Sequence, residues 1–245
     1  MKILLHPADA RGRADHGWLK THHSFSFADW FEPSRMGFGA LRVLNDDWIA
    51  PQQGFGMHPH NNFEIITLVM QGAVTHEDSM GNHKRVEAGE VQVMSAGTGV
   101  VHSEHNREDV PLELFQIWIE TNRPSAEPRY DQRRFDEGGR MNRFQLLVSG
   151  SEEDGALMIY QDAKLSRANV RGGSELAYHI APGHGAYLFV IEGEISVGET
   201  ELHRRDALGI AASNTFLIRA RETSDLLCIE VPISPREIDI HLAGD

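Results

Sequence analysis

The chain has 245 residues, 40% of them hydrophobic and 24% charged, with a formal net charge of −13. That length admits one large all-β domain or two of roughly half the size, and the apolar share suffices for a sizeable core. The negative balance argues against binding nucleic acid or an anionic membrane through bulk electrostatics. The opening, MKILLHPADARGRADHGW, has one short apolar run broken by His6 and then by charges, so it does not read as a signal peptide. No window is apolar enough to suggest a membrane span. The one cysteine, Cys228, excludes an intramolecular disulfide and fits a reducing, cytoplasmic home. Its setting, LLCIEVP, is that of a buried strand.

In chain order, FEIITLVMQG, EVQVMSAG, LELFQIWIE, AYLFVIEGEISV, DALGIAA, TFLIRA and DLLCIEVP are short and rich in β-branched and aromatic residues. Gly, Asn or Asp turns bound them, the pattern of a sandwich or barrel. Asn122 to Glu137 breaks this rhythm with two prolines and dense charge, and reads as a linker. The expected division is a first domain over 1–121, a linker over 122–137 and a second domain over 138–245. SPREIDIHL near the C-terminus is a short helical candidate.

An internal repeat supports two domains. LVMQGAVTHEDSMGNHKRVEAGEVQVMSAG matches FVIEGEISVGETELHRRDALGIAASN, each a strand, a glycine turn, a strand, a polar hairpin and a strand starting at an acid. Setting Gly72 against Gly193 gives an offset of 121, and setting Glu90 against Asp206, beyond the hairpin, gives 116. Two copies of one β-unit predict an all-β chain of two stacked jelly-roll-like barrels with few short helices.

Two couplets carry the chemistry, His58-Pro59-His60 and His102-Ser103-Glu104. On a strand, residues i and i+2 share a face, so each couplet aims two side chains at one point. Together they offer three imidazoles and a carboxylate, a donor set suited to one divalent transition metal. The set accepts Fe, Mn, Ni, Co, Cu or Zn. Under the repeat offsets, His58 falls on His179, His60 on Ala181, His102 on Ile218 and Glu104 on Ala220. One copy therefore reads as metal-binding and the other as a partner or lid.

Neighbouring residues have plainer readings. Glu64, four residues after His60, should share its face if the strand is continuous. A hydrogen bond to a ligand imidazole and a purely structural role are both open to it. His105, three residues from His102, should face away and serve structure. His22, His23, His76, His83, His179, His184 and His203 lack paired ligand spacing and read as surface or hydrogen-bonded. Phe25, Phe27, Trp30, Phe31, Phe55 and Phe63 cluster in and before the first couplet, as core packing or as the wall of a pocket for a flat aromatic substrate.

The pattern Gly54, His58-Pro59-His60, Glu64, Gly72 resembles the first cupin motif, and Gly89, Ser95-Ala96-Gly97, His102, Asn106 resembles the second, with Ser95 in place of the usual proline. More closely, HGWLKTHHSFSFADWF, HPHNNFEIITLVMQGAVTHEDSMG and MSAGTGVVHSEHN resemble the signatures of the pirin family, over residues 10 to 231. The chain is most similar to bacterial members described as quercetin 2,3-dioxygenases. The resemblance implies a bicupin with metal ligands His58, His60, His102 and Glu104, Fe(II) as the metal, and a metal-free C-terminal barrel. It leaves Glu64 out of the ligand set.

That activity implies a small aromatic substrate, such as quercetin, and O2. Four protein ligands leave coordination positions open. Glu104 would take the proton of the flavonol 3-hydroxyl, and oxygen insertion would open the central ring with release of carbon monoxide. The resemblance also covers metal-binding regulators that act on transcription factors or enzymes through a protein surface, and room beside the metal would separate the two. The chain is expected to be a monomer.

Overall fold

The structure, a computed structural model, describes residues 1–237. Pro235–Glu237 are helical, and the rest of the SPREIDIHL candidate lies outside the described residues.

Alternation along the long strands splits their side chains between two cores. In Leu112–Glu120, Phe115, Ile117 and Ile119 enter one cluster and Leu112 and Leu114 another, while Gln116 and Trp118 line a cavity on the latter side. Phe63–Gln71 divides likewise: Ile66 and Leu68 face the first core, Ile65 and Val69 the other side.

The architecture is two domains of jelly-roll-like sheets. In the first half, seven strands run in the order Arg129–Arg134, Glu90–Ser95, Phe63–Gln71, Leu112–Glu120, Leu41–Ile49, Leu19–His23 and Gly12–Asp15. Across from them lie Gly54–His60, Val100–His105, Ala73–Asp78 and His83–Glu87. Val69, Leu112 and Leu114 of the large sheet share a cluster with Val74 and Val86 of the small one.

The second half repeats the plan. Its large sheet includes His184–Glu192, Ser224–Pro232 and Lys164–Val170, and its small sheet runs Glu175–His179, Thr215–Ala220, Ile195–Val197, Thr200–Leu202. The sheets stay open rather than closing into barrels. The two large sheets meet back to back, with Phe115, Ile117 and Ile119 in one cluster with Tyr187, Phe189 and Ile229.

Two strands cross the sequential division. Arg129–Arg134, inside the stretch that reads as a linker, pairs with Glu90–Ser95 and extends the first half's large sheet. Lys2–His6 pairs with Ala207–Ala211 in the second half's large sheet. Cys228 is fully buried in the second core, as LLCIEVP predicts, and burial pushes its thiol pKa up.

Candidate metal centre and the adjoining cavity

The two couplets sit on adjacent antiparallel strands, and His102 pairs directly with His58. The register then slips, so that Glu104 faces Phe55 rather than the residue two before His58. Such a bulge re-aims side chains locally. Gly54 closes this end of the ladder, where a Cβ would collide with the Glu104 carbonyl and the His105 backbone.

The three imidazoles converge. Ring centroids lie 4.4 Å apart for His58 and His102, and 4.9 Å for both other pairs. One nitrogen from each falls within 4.8 Å of the other two, close enough to hold one ion. His58 Nδ1 is 2.8 Å from the Gly56 carbonyl. That bond makes Nδ1 the donor and leaves Nε2 as the lone-pair nitrogen. His102 is 1% exposed, yet neither ring nitrogen has a partner. Buried polar atoms without partners are costly, so this orphaned imidazole fits a metal ligand.

Burial, together with the other rings, pushes His60 down to about pKa 4 and His102 down to about 3. Both are therefore neutral at pH 7, the form that coordinates.

Glu104 is 2% exposed and held by three neutral side chains. Gln116 Nε2 donates to its Oε2 at 2.7 Å, and Gln92 Nε2 donates to Oε1 at 3.1 Å. Thr67 Oγ1 lies 3.1 Å from the same Oε1 and 3.2 Å from Gln116 Oε1, with one proton to give. Glu104 shares a 4.8 Å cluster with His102 and His76, not with His58 and His60.

His76 is fully buried, and its Nε2 lies 2.9 Å from Asp78 Oδ2 while Nδ1 has no partner. Its hydrogen-bonded state agrees with the sequence. Its place beside the couplets does not follow from strand spacing, because it arrives on a neighbouring strand opposite Glu104.

Glu64 does not share the face of His60. Asn62 has φ 50°, and the strand restarts at Phe63, so alternation is not carried across. Glu64 points to the other side, is 1% exposed and accepts from Ser95 Oγ. Burial pushes its carboxyl pKa up. Asn106 is fully buried and its Nδ2 donates to the carbonyls of Ile49, Ala50 and Val110, anchoring the loop after the second couplet.

A cavity of about 430 Å³ opens beside His58 and Glu104. Trp18, Phe27, Phe55 and Trp118 supply aromatic wall, and Trp118 also packs edge-on against His60 at 4.7 Å. Of the early aromatics, Phe27 and Phe55 face this cavity, Phe25 is core and Phe31 is exposed. The large sheet carries a polar row whose Gln116, Asn45 and His23 line the cavity. Gln132, Gln92, Thr67, Gln116, Asn45 and His23 stand opposite one another on six successive strands.

Sequence reasoning did not find this row. Its signal is a lone polar residue at an inward position of an apolar strand, as Thr67 in FEIITLVMQ, Gln92 in EVQVMS and Gln116 in LELFQIWIE. In the second half, Ile218 and Ala220 are apolar core and His179 is exposed on an outer strand.

A two-domain cupin with a histidine cluster at the mouth of an aromatic cavity is the class that this fold and geometry define. Residues 5–119 match the family described as Pirin, and residues 146–231 the family described as Quercetinase C-terminal cupin domain. The chain is 42% identical over 231 residues to a quercetin 2,3-dioxygenase of Escherichia coli K12, covering 94% of this chain and 99% of that one. It is 43% identical over 225 residues to a pirin-like protein of Caulobacter vibrioides, covering 91% and 97%. A crystal structure of the Escherichia coli bacterial pirin YhhW in complex with nickel(II) superposes with a TM-score of 0.90 at 41% identity, covering 95% of this chain and all of the other. The chain belongs to the pirin family.

Proposed function

We propose that this chain is a metal-dependent dioxygenase that cleaves a flavonol such as quercetin at the 2,3 position, consuming O2 and releasing carbon monoxide. The observation that carries the reading is the cavity itself. It places aromatic walls and open space directly beside an imidazole cluster whose deepest member, His102, has both nitrogens unpartnered. A regulator that used its metal as a sealed structural element would not need that room.

His58, His60, His102 and Glu104 are the proposed ligands of one divalent metal, with Fe(II) as the resident ion. The metal would supply Lewis acidity toward a bound hydroxyl and one-electron chemistry toward O2. Among the described residues no helix is long and apolar enough to cross a membrane.

The chain's own residues do the rest. The rings of Trp18, Phe55 and Trp118 offer flat apolar surface against which a bicyclic substrate packs and excludes water. Glu104 Oε1 has two neighbours able to donate, whereas Oε2 accepts only from Gln116. A carboxylate has about four lone-pair sites. Thr67's single proton can go to Gln116 Oε1 instead, which leaves Oε1 a site for the metal and Oε2 one with which to take the proton of the flavonol 3-hydroxyl. Gln116 and Gln92 hold that oxygen pair in place while the proton moves.

The test joins metal content by plasma mass spectrometry to an assay of anaerobically Fe(II)-loaded protein, in which loss of flavonol absorbance is followed once O2 is admitted. One metal per chain, with turnover that disappears in His60→Ala, supports the dioxygenase. One metal and no turnover moves the function to a metal-dependent partner surface. No metal under any loading condition removes the basis of both.

A further inference from the structure

The cavity has a second polar end that the metal chemistry does not use. Thr21 and His23 enter it from Leu19–His23, and Asn45 and Asp47 from Leu41–Ile49, at alternate inward positions of two paired strands. All four are buried, between 3% and 6% exposed. They are partly satisfied among themselves: His23 Nδ1 lies 2.9 Å from Asn45 Oδ1, and Thr21 bonds the Asp47 carboxyl. Asp47 Oδ1 has no partner.

A buried carboxyl oxygen with no donor is unfavourable, and a hydrophobic residue would serve the core better. Glu104 has its own donors in Thr67, Gln92 and Gln116, so this quartet is not needed to hold it.

Position supplies a length. Gln116 pairs with Asn45, and Asn45 with His23, so the quartet stands one and two strands away from the residue that fixes Glu104. Neighbouring strands are about 4.8 Å apart, which sets the quartet roughly 5–10 Å from Gln116 along the large sheet. Phe55 and Trp118 wall the same cavity. A flat molecule held by one oxygen at the histidine cluster would bring its remote ring against the quartet.

We propose that Asp47, with His23 and Asn45 beside it, is a specificity-determining group that accepts a hydrogen bond from a hydroxyl on the ring remote from the metal. The site then selects flavonols hydroxylated on that ring over those that are not. This rests on the flavonol reading above, but it concerns binding and needs no turnover. A site built to pair with a hydroxyl rejects the analogue lacking it more strongly than an apolar pocket does, because its own polar group is left unpaired.

The test is anaerobic titration of Ni(II)-loaded protein, followed by quenching of tryptophan fluorescence, which Trp18 and Trp118 place in the cavity. The probes are quercetin, kaempferol and galangin, with two, one and no hydroxyls on the remote ring. Wild type is expected to bind galangin at least about tenfold more weakly than the other two. In Asp47→Leu that ratio should fall to about one, and Asp47→Asn, which keeps a carbonyl acceptor and guards against misfolding of the first variant, should fall between.

A ratio unchanged by both substitutions, or an equal loss for all three probes, overturns the proposal. So does a wild type that binds none of them. Selective binding without turnover of the Fe(II)-loaded protein in air leaves the recognition site standing and removes the dioxygenase.

Discussion

Gln116 Nε2 donates to Glu104 Oε2 at 2.7 Å, with both side chains buried on facing sheets of the first half. The bond ties a proposed ligand of the small sheet to the polar row of the large one. Hydrogen bonds of this kind orient ligating groups, and losing one costs about 10–100-fold in metal affinity. Gln116→Leu is expected to weaken Ni(II) binding by about that factor while leaving the strands intact, since a leucine at this inward position continues the row of Leu112 and Leu114. Competition against a chelator of known affinity measures it, and an unchanged affinity would show that Thr67 and Gln92 suffice.

The unpartnered nitrogens of His102 make metal binding a stability term. A ligand that binds the folded chain alone stabilises it by about 2.7 kcal/mol at a hundredfold excess over its dissociation constant. For a chain of this size that corresponds to roughly 5–10 °C in Tm. Differential scanning calorimetry should show this rise on loading and its reversal with EDTA. His102→Leu should abolish the rise without lowering the Tm of the metal-free protein, because it replaces two orphaned polar atoms by apolar surface.

The reach of the sequence follows from which interactions are local. Both couplets were legible because strand alternation converts i and i+2 into a shared face, and the repeat was legible because turn glycines and hairpin acids recur at fixed spacing. The sheets could be anticipated from FEIITLVMQG and LELFQIWIE, where one face is mostly apolar, as in Ile66, Leu68 and Met70 or Phe115, Ile117 and Ile119. Leu41–Ile49 was not among the expected strands, because Asn45, Asp46 and Asp47 interrupt its apolar run and such residues are depleted in strands. Those residues are the ones turned to the cavity or to the interface: Asn45 and Asp47 face the cavity, and Asp46 pairs with Arg205 of the second half at 2.8 Å.

The same logic explains Glu64 and His76. Glu64 would share the face of His60 on an unbroken strand, which the left-handed Asn62 interrupts. His76 meets Glu104 across a strand pair, a relation set by register that spacing along one strand does not encode. The exchange of Lys2–His6 into the other half's sheet is likewise a long-range pairing.

Glu104→Gln separates ligand from base. A glutamine is isosteric and can keep a carbonyl oxygen toward one of its donors, but it cannot take up the substrate proton. Loss of a general base costs about 10²–10⁴-fold in turnover. The variant is expected to retain one metal per chain by plasma mass spectrometry while its kcat falls by at least about a hundredfold. Parallel loss of metal and turnover would make Glu104 a ligand and no more.

Asp47 gives a pH dependence with a definite sign. Burial, reinforced by Asp46 and Glu104, pushes its carboxyl up to about 7 from an ordinary 3.8. Between those values the folded chain holds a proton that the unfolded chain has released, so stability falls as pH rises from about 4 to about 7 and levels off above. A shift of about three units corresponds to at most ~4 kcal/mol. His60 and His102 act in the opposite direction: held down to about 4 and about 3, they cost stability as pH falls below about 6.5. They are present in wild type and in Asp47→Asn alike, so the difference between the two proteins isolates the carboxyl. For metal-free protein, the Tm advantage of Asp47→Asn should be near zero at pH 4, grow through pH 5 and 6, and reach its plateau just above pH 7. A difference independent of pH would mean that Asp47 is ionised throughout, with a donor in the folded chain that offsets its burial.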